Sequence, residues 1–280
     1  MREIQIETKN FGDKFKEGLE SILYYYNDPV YYDREVLYKR FRSVDYISNF
    51  NSDVSDNMFE NKYDKILMIP TLNCFKDEVK ILDIGIEYNK HLGYTMKKSS
   101  LNPIYSRYET FRTEDGKDID KLIYYGPNRK ELSTSDKIKY LKLMKEKIDK
   151  FNDSEVYIGD FNYENFLVSD NLDRMKLCDL DNLKIWSHDF DNKTASVKHY
   201  EEICMSEDNR TQNIEGLDSF CFNIFTLALF LNEPNFKILR NLEDIELPEI
   251  LNSFPNEEIM ESVKHLDKTY KPRYLIDIYK

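Results

Sequence analysis

The residues best suited to chemistry lie between Tyr157 and Leu183, in the stretch YIGDFNYENFLVSDNLDRMKLCDLDNL. Asp160 is followed five residues later by Asn165, and an Asp-Leu-Asp sequence occupies positions 179 to 181. Each group falls at the end of a short apolar run, and strand ends aim side chains into clefts. Magnesium takes hard oxygen ligands and is held by one or two protein carboxylates together with substrate phosphates. An amide oxygen from Asn165 and a carboxylate from Asp179, brought together by the hairpin between them, supply such a half-shell. Asp160, one short loop away, is then free to accept a proton from a hydroxyl. Asp181 reads either as a second metal ligand or as a surface charge.

The elements that must position these groups follow from the apolar pattern. From Ser21 to Phe41 the runs ILYYY, VYY and EVLYKRF, separated by Asn27-Asp28-Pro29 and Asp33-Arg34, predict three short antiparallel strands. Met58, Phe59, Tyr63, Ile66, Leu67 and Ile69 recur at helical intervals, which predicts a helix over 54–72 with Ser55 as its cap. Two more strands are expected at 78–86 and 91–96, after which the pattern stops at Lys97-Lys98-Ser99. Beyond that point the character becomes helical. Residues 134–151 carry one apolar stripe, with Ser133 three positions before Asp136 as a capping signal. Short strands are predicted at 156–158, 166–168 and 175–178, the last two flanking the turn Asp170 to Asp173. An apolar helix follows around 216–231, then amphipathic segments near 246–252 and 256–266.

Composition sets limits on partners. The 40 Lys and Arg against 52 Asp and Glu leave a net charge of −12, which opposes any broad grip on nucleic acid or anionic lipid. Neither nucleic acid nor a membrane is an expected partner. A length of 280 residues with 41% hydrophobic content suits two domains or one bilobal domain with a sizeable core. The amino terminus lacks an apolar signal-peptide core, and the longest apolar run, Phe220 to Leu231, is interrupted by Asn223 and Thr226. Neither a signal peptide nor a membrane span is expected. The cysteines at 74, 178, 204 and 221 show no paired spacing, and the histidines at 91, 188, 199 and 265 form no ligand pattern with them. That usage predicts free thiols in a reducing cytoplasm.

With these residues in place, the chain resembles the protein-kinase superfamily. In that family the catalytic loop reads Asp-x-x-x-x-Asn, and a hairpin later comes the metal-binding Asp of an Asp-Phe-Gly element. Asp160 to Asn165 matches the first spacing and Asp179-Leu180-Asp181 occupies the second. Val36-Leu37-Tyr38-Lys39 looks like the third-strand segment whose Lys grips the α- and β-phosphates. Glu60 stands on the following helix, where the family has the Glu that pairs with that Lys, with Glu78 or Glu87 as other readings of the register. Gly93-Tyr94-Thr95-Met96 looks like the last strand leading into the hinge between lobes. Asp218 looks like the helix Asp that braces the catalytic-loop backbone. The resemblance implies an α+β, bilobal protein-kinase-like fold: a small antiparallel-sheet lobe over 1–96, with five strands and one helix, and a mainly helical lobe over 97–280.

The departures from the family pattern are specific. No glycine lies between Ser21 and Phe41, where the turn is Asn27-Asp28-Pro29, so the usual glycine-rich wrap over the phosphates is missing there. Ile158-Gly159 replaces the His-Arg before the catalytic Asp, Asn162 stands where many Ser/Thr kinases have a Lys, and Asp181 replaces the Gly of Asp-Phe-Gly. The resemblance implies ATP and magnesium as cofactors and transfer of the γ-phosphoryl group to a hydroxyl, with a protein Ser/Thr acceptor preferred. Asp160 is then the catalytic residue, Asn165 and Asp179 the metal ligands, and Lys39, Glu60 and Met96 the nucleotide-binding residues. Two alternatives stand beside this: a small-molecule kinase of the aminoglycoside or choline type, and a pseudokinase that binds partners without turnover.

Overall fold

The computed structural model describes residues 1–18, 20–31, 35–42, 58–88, 90–159, 161–186, 188, 190, 196–198 and 216–240. It is a mixed α+β protein in which two compact units form, Met1–Ser100 with Lys176–Asn192, and Leu101–Met175 with Lys193–Lys280. The segment that carries Asp179 therefore belongs with the amino-terminal sheet. The predicted helix cap Ser55 and the amphipathic segments at 246–252 and 256–266 lie outside the described residues.

The first unit is built on six strands, β1 (Arg2–Gln5), β2 (Phe11–Glu17), β3 (Ser21–Tyr26), β4 (Val36–Phe41), β5 (Ile81–Glu87) and β6 (Lys90–Lys97). Their order across the sheet is β1-β5-β6-β4-β3-β2, antiparallel except for β1 beside β5. One helix, α1 (Met58–Met68), connects β4 to β5. The five-strand expectation thus gives way to six. β1 and β2 come from a charged amino terminus with little apolar alternation. Val30 and Tyr31 do not extend as a strand: Pro29 fixes its own φ near the helical value, and Pro29–Tyr31 closes as a 3-10 turn on Asp28.

Alternation along β4 sorts its side chains onto two faces. Val36 and Tyr38 join Ile6, Tyr26 and Tyr31 in an aromatic cluster on one face. Leu37, Lys39 and Phe41 point to the other, where Lys39 pairs across to Tyr94 and Leu37 to Met96. Two glycines make the first face possible. Gly85 and Gly93 are cross-strand partners, and the Tyr38 ring lies over both. A methyl group on Gly93 would also overlap the Lys39 carbonyl. Gly93→Ala is therefore expected to destabilise the protein by about 1–3 kcal/mol, the usual range for overpacking a tight site. Urea titration checks this, and an unchanged midpoint would contradict the close approach.

The second unit contains β7 (Asn102–Pro103), the hairpin β8 (Tyr105–Arg112) and β9 (Asp118–Tyr125), α2 (Thr134–Asn152), β10 (Val156–Tyr157), β11 (Phe166–Val168), α3 (Leu217–Leu231) and α4 (Asn235–Arg240). The β8–β9 hairpin, not among the expected strands, turns at Asp115-Gly116 with Gly116 at positive φ. Its strands carry charges and a solvated face, so the apolar signal there is weak. α2 begins as expected, with the Ser133 hydroxyl and the Asp136 carboxylate forming a reciprocal capping box. Its buried stripe, Ile138, Leu141, Met144, Ile148 and Phe151, accompanies α3, and Tyr140 packs on Phe225 with ring centroids 6.2 Å apart. Lys137 is buried too, donating to the Leu229 carbonyl at 2.7 Å and to Asn232 at 3.0 Å, where it satisfies the carboxyl end of α3. No helix among the described residues is long and apolar enough to cross a membrane.

Candidate functional site

The first unit places a cluster of buried charge on the helix-covered face of its sheet. Lys39 leaves β4 and forms ion pairs with both Asp179 and Asp181, the second at 2.6 Å. Asp181 is fully buried, yet each of its oxygens has partners. Oδ1 accepts from Lys39 and from the Tyr94 hydroxyl at 2.7 Å, and Oδ2 accepts from Lys62 at 2.8 Å. Lys62 also donates to Glu20 at 3.0 Å. Two ammonium groups are thereby interleaved with three carboxylates, and the Phe41 ring lies within 6.0 Å of the first and 5.3 Å of the second. The Lys39 and Lys62 ammoniums hold the Asp181 carboxyl far below the usual carboxylate range against the cost of burial. The two carboxylates in turn raise the Lys39 ammonium, although its own desolvation opposes them. Asp181 is neither a surface charge nor open to a ligand.

Backbone geometry explains how two acids two residues apart converge on one Lys. Asp179 sits in the left-handed region at φ 59°, ψ 43°, which opens the 3-10 turn Leu180–Asn182. Asp tolerates that conformation better than most side chains. The approach to the turn is fixed from behind, since the Leu177 N–H donates to the buried Glu78 carboxylate and the Val79 N–H to the Leu177 carbonyl. Beyond the turn, Lys65 donates to the Leu183 carbonyl at 3.0 Å. Asp179 keeps about a third of its side chain, 34%, in solvent while Lys39 keeps 7%, so Asp179 is the member of the pair that a ligand can reach.

Two sequence expectations need correction. The Lys39–Glu60 pair does not form among the described residues. Glu60 is exposed on α1 and borders an open groove with Arg40, Tyr63, Asp64 and His91. Residues two apart on a helix lie about 200° apart around it, so Glu60 and Lys62 cannot both face the sheet, and Lys62 does. The glycine-free turn at Asn27–Pro29 is likewise not the one between the first antiparallel pair. That hairpin joins β2 to β3 at Gly18–Glu20, where Gly18 N–H donates to the Ser21 carbonyl and Arg42 donates to the Gly18 carbonyl. Met96 is buried near the end of β6, opposite Leu37 and Ile81.

The second unit holds the remaining predicted residues. Asp160 lies outside the described residues. The residues on either side of it are fixed. Gly159, at φ 62°, donates its N–H to Asp218 at 2.8 Å, and the Ile158 N–H donates to both Asp218 oxygens at 3.0 and 2.9 Å. Asn152, its amide nitrogen turned inward, donates to the same carboxylate at 2.8 Å. Phe161 is buried, with Phe166 at 5.8 Å and Phe222 at 6.3 Å between ring centroids. Asn165 is half-buried at the end of the 3-10 turn Tyr163–Asn165, which the Asn162 side chain caps through the Glu164 N–H. Among the described residues no three His, Cys, Asp or Glu side chains cluster as a metal site.

Burial raises the Asp218 carboxyl to about 7, against the downward pull of the Ile158 and Gly159 N–H groups. Because the folded value exceeds that of an unfolded Asp, this group's stabilisation is full below pH ~4 and is lost as pH rises through about 7. The wild type is therefore expected to melt lower at pH 8 than at pH 5.5 by more than Asp218→Asn does. At roughly 2–4 °C per kcal/mol, scanning calorimetry resolves the difference. Equal pH slopes for the two proteins would contradict it.

Neither a protein-family model nor a curated protein sequence matches the chain.

Proposed function

We propose that this chain is an ATP- and magnesium-dependent phosphotransferase with a protein-kinase-like, bilobal fold. The observation that carries the proposal is the ion pair between Lys39, buried on an interior strand, and the partly exposed Asp179, 140 residues further along the chain. The strand order β2-β3-β4-β6-β5, the helix between β4 and β5 and the Asp218 brace on Gly159 all support the same reading.

The donor set suits a magnesium nucleotide. Asp179 offers a partly solvated carboxylate and Asn165 an amide oxygen, and magnesium accepts such a sparse protein shell when phosphates complete it. Lys39 fixes the non-transferred phosphates, and Met96, near the end of β6, borders the nucleotide. Asp160 orients the acceptor hydroxyl and takes its proton. Bound magnesium supplies neutralisation of the charge on the phosphates. The chain's own residues contribute positioning and electrostatic stabilisation, the main resources of phosphoryl transfer. A Ser or Thr hydroxyl on a protein is the preferred acceptor.

Thermal unfolding with and without magnesium and ATP tests the proposal. At 100 times Kd the nucleotide should add about 2.7 kcal/mol of stability, and no added stability at millimolar ATP would overturn it. Phosphate transfer to generic proteins and to amino-alcohols then assigns the acceptor. Transfer to amino-alcohols alone would move the function to small-molecule phosphorylation, and binding without transfer to a pseudokinase.

A further inference from the structure

We propose that Asp181, oriented by Lys62, positions the Lys39 ammonium, so that a buried Asp–Lys pair does the work the resemblance assigned to a helix carboxylate. This rests on the reading of Lys39 as a phosphate-binding residue. Lys39 has two carboxylate partners of different character. Asp179 is about one-third exposed and belongs to the ligand-facing side, whereas Asp181 has 1% of its side chain in solvent. A partner that must also serve a ligand cannot be the constant anchor. Asp181 can, because its remaining acceptor capacity is already filled by Tyr94 and Lys62.

Lys62 fixes the Asp181 carboxylate from the helix side. α1 turns a second ammonium, 1% exposed, onto the other Asp181 oxygen. That cation orients the carboxylate, leaving Oδ1 for Lys39 and Tyr94. Lys62 is tied in turn to Glu20 in the turn between β2 and β3. The first hairpin, α1 and the Asp-Leu-Asp turn thus meet through one ammonium shared by two carboxylates. Buried ion pairs are often replaceable by apolar residues without loss of stability, so stability and the positioning of Lys39 can be tested apart.

The test measures the affinity of magnesium ATP by calorimetry, alongside melting temperature, in the full-length chain. Asp181→Asn and Lys62→Met are each expected to weaken ATP at least about tenfold, with Lys62→Arg close to wild type. The double variant Asp181→Leu with Lys62→Met is expected to recover melting temperature relative to the single variants while ATP affinity stays at least about tenfold low. Glu60→Gln should bind as wild type does. If Asp181→Asn does not fold, the double variant and the Lys62→Met and Lys62→Arg pair decide the matter. ATP affinity that recovers together with melting temperature in the double variant, or a loss in Glu60→Gln, would overturn the positioning role. A wild type that binds no ATP would overturn the phosphotransferase reading itself, and this proposal with it.

Discussion

Asp160→Asn is expected to lower phosphate transfer about 10²- to 10⁴-fold, the range a positioned general base contributes. Nucleotide affinity should stay near wild type, because the change removes an interaction made in the transition state and not in the ground state. The physical basis lies on both sides of the residue. Gly159 is anchored through its N–H to the buried Asp218, and Phe161 is packed between Phe166 and Phe222. Steady-state rates with a hydroxyl acceptor, measured beside calorimetric ATP affinity, separate the two effects. Wild-type turnover in the variant would remove Asp160 from the chemistry.

The second large effect belongs to Lys39→Met. Removing one partner of a buried ion cluster costs about 3–5 kcal/mol, because the carboxylates left behind are uncompensated. The lower half of that range is expected, since Lys62 still neutralises Asp181 and Asp179 is partly solvated. Losing a charged donor also removes about 1.5–3 kcal/mol of phosphate binding, which is roughly 10- to 150-fold in Kd. Urea titration and ATP calorimetry read these separately. A variant as stable as wild type would contradict the ion cluster, and one with undiminished ATP affinity would contradict the assignment of Lys39.

The sequence made the two ends of this arrangement legible and hid its middle. Lys39 is legible through the resemblance of Val36-Leu37-Tyr38-Lys39 to a third-strand segment, and α2 because its stripe and its Ser133–Asp136 cap agree with one another. Asp218 was readable from its place at the start of an apolar helix, and it does hold the backbone before Asp160. Lys62 was not, because periodicity counts apolar residues and a lysine interrupts the stripe. Its burial depends on Asp181, 119 residues away, which no local pattern reveals. For the same reason Leu67, one of the apolar residues that recur at helical intervals, is exposed, while Lys62 and Lys65 are buried. A basic i, i+3 pair next to Ile66 and Ile69 was the available signal. β1 and β2 were missed because a charged strand carries little alternation, and the β8–β9 hairpin because Asp115-Gly116 was not read as a turn.

The proposed function assigns Asp160, Asn165 and Asp179 to one magnesium nucleotide gripped by Lys39. Titration of manganese with saturating ATP, read by electron paramagnetic resonance, addresses it most directly. One manganese should bind per chain in the wild type, with affinity lowered at least about tenfold in both Asp179→Asn and Asn165→Ala. Asp160→Asn should keep the ion, as befits a proton acceptor. Undiminished manganese affinity in either ligand variant would contradict the account.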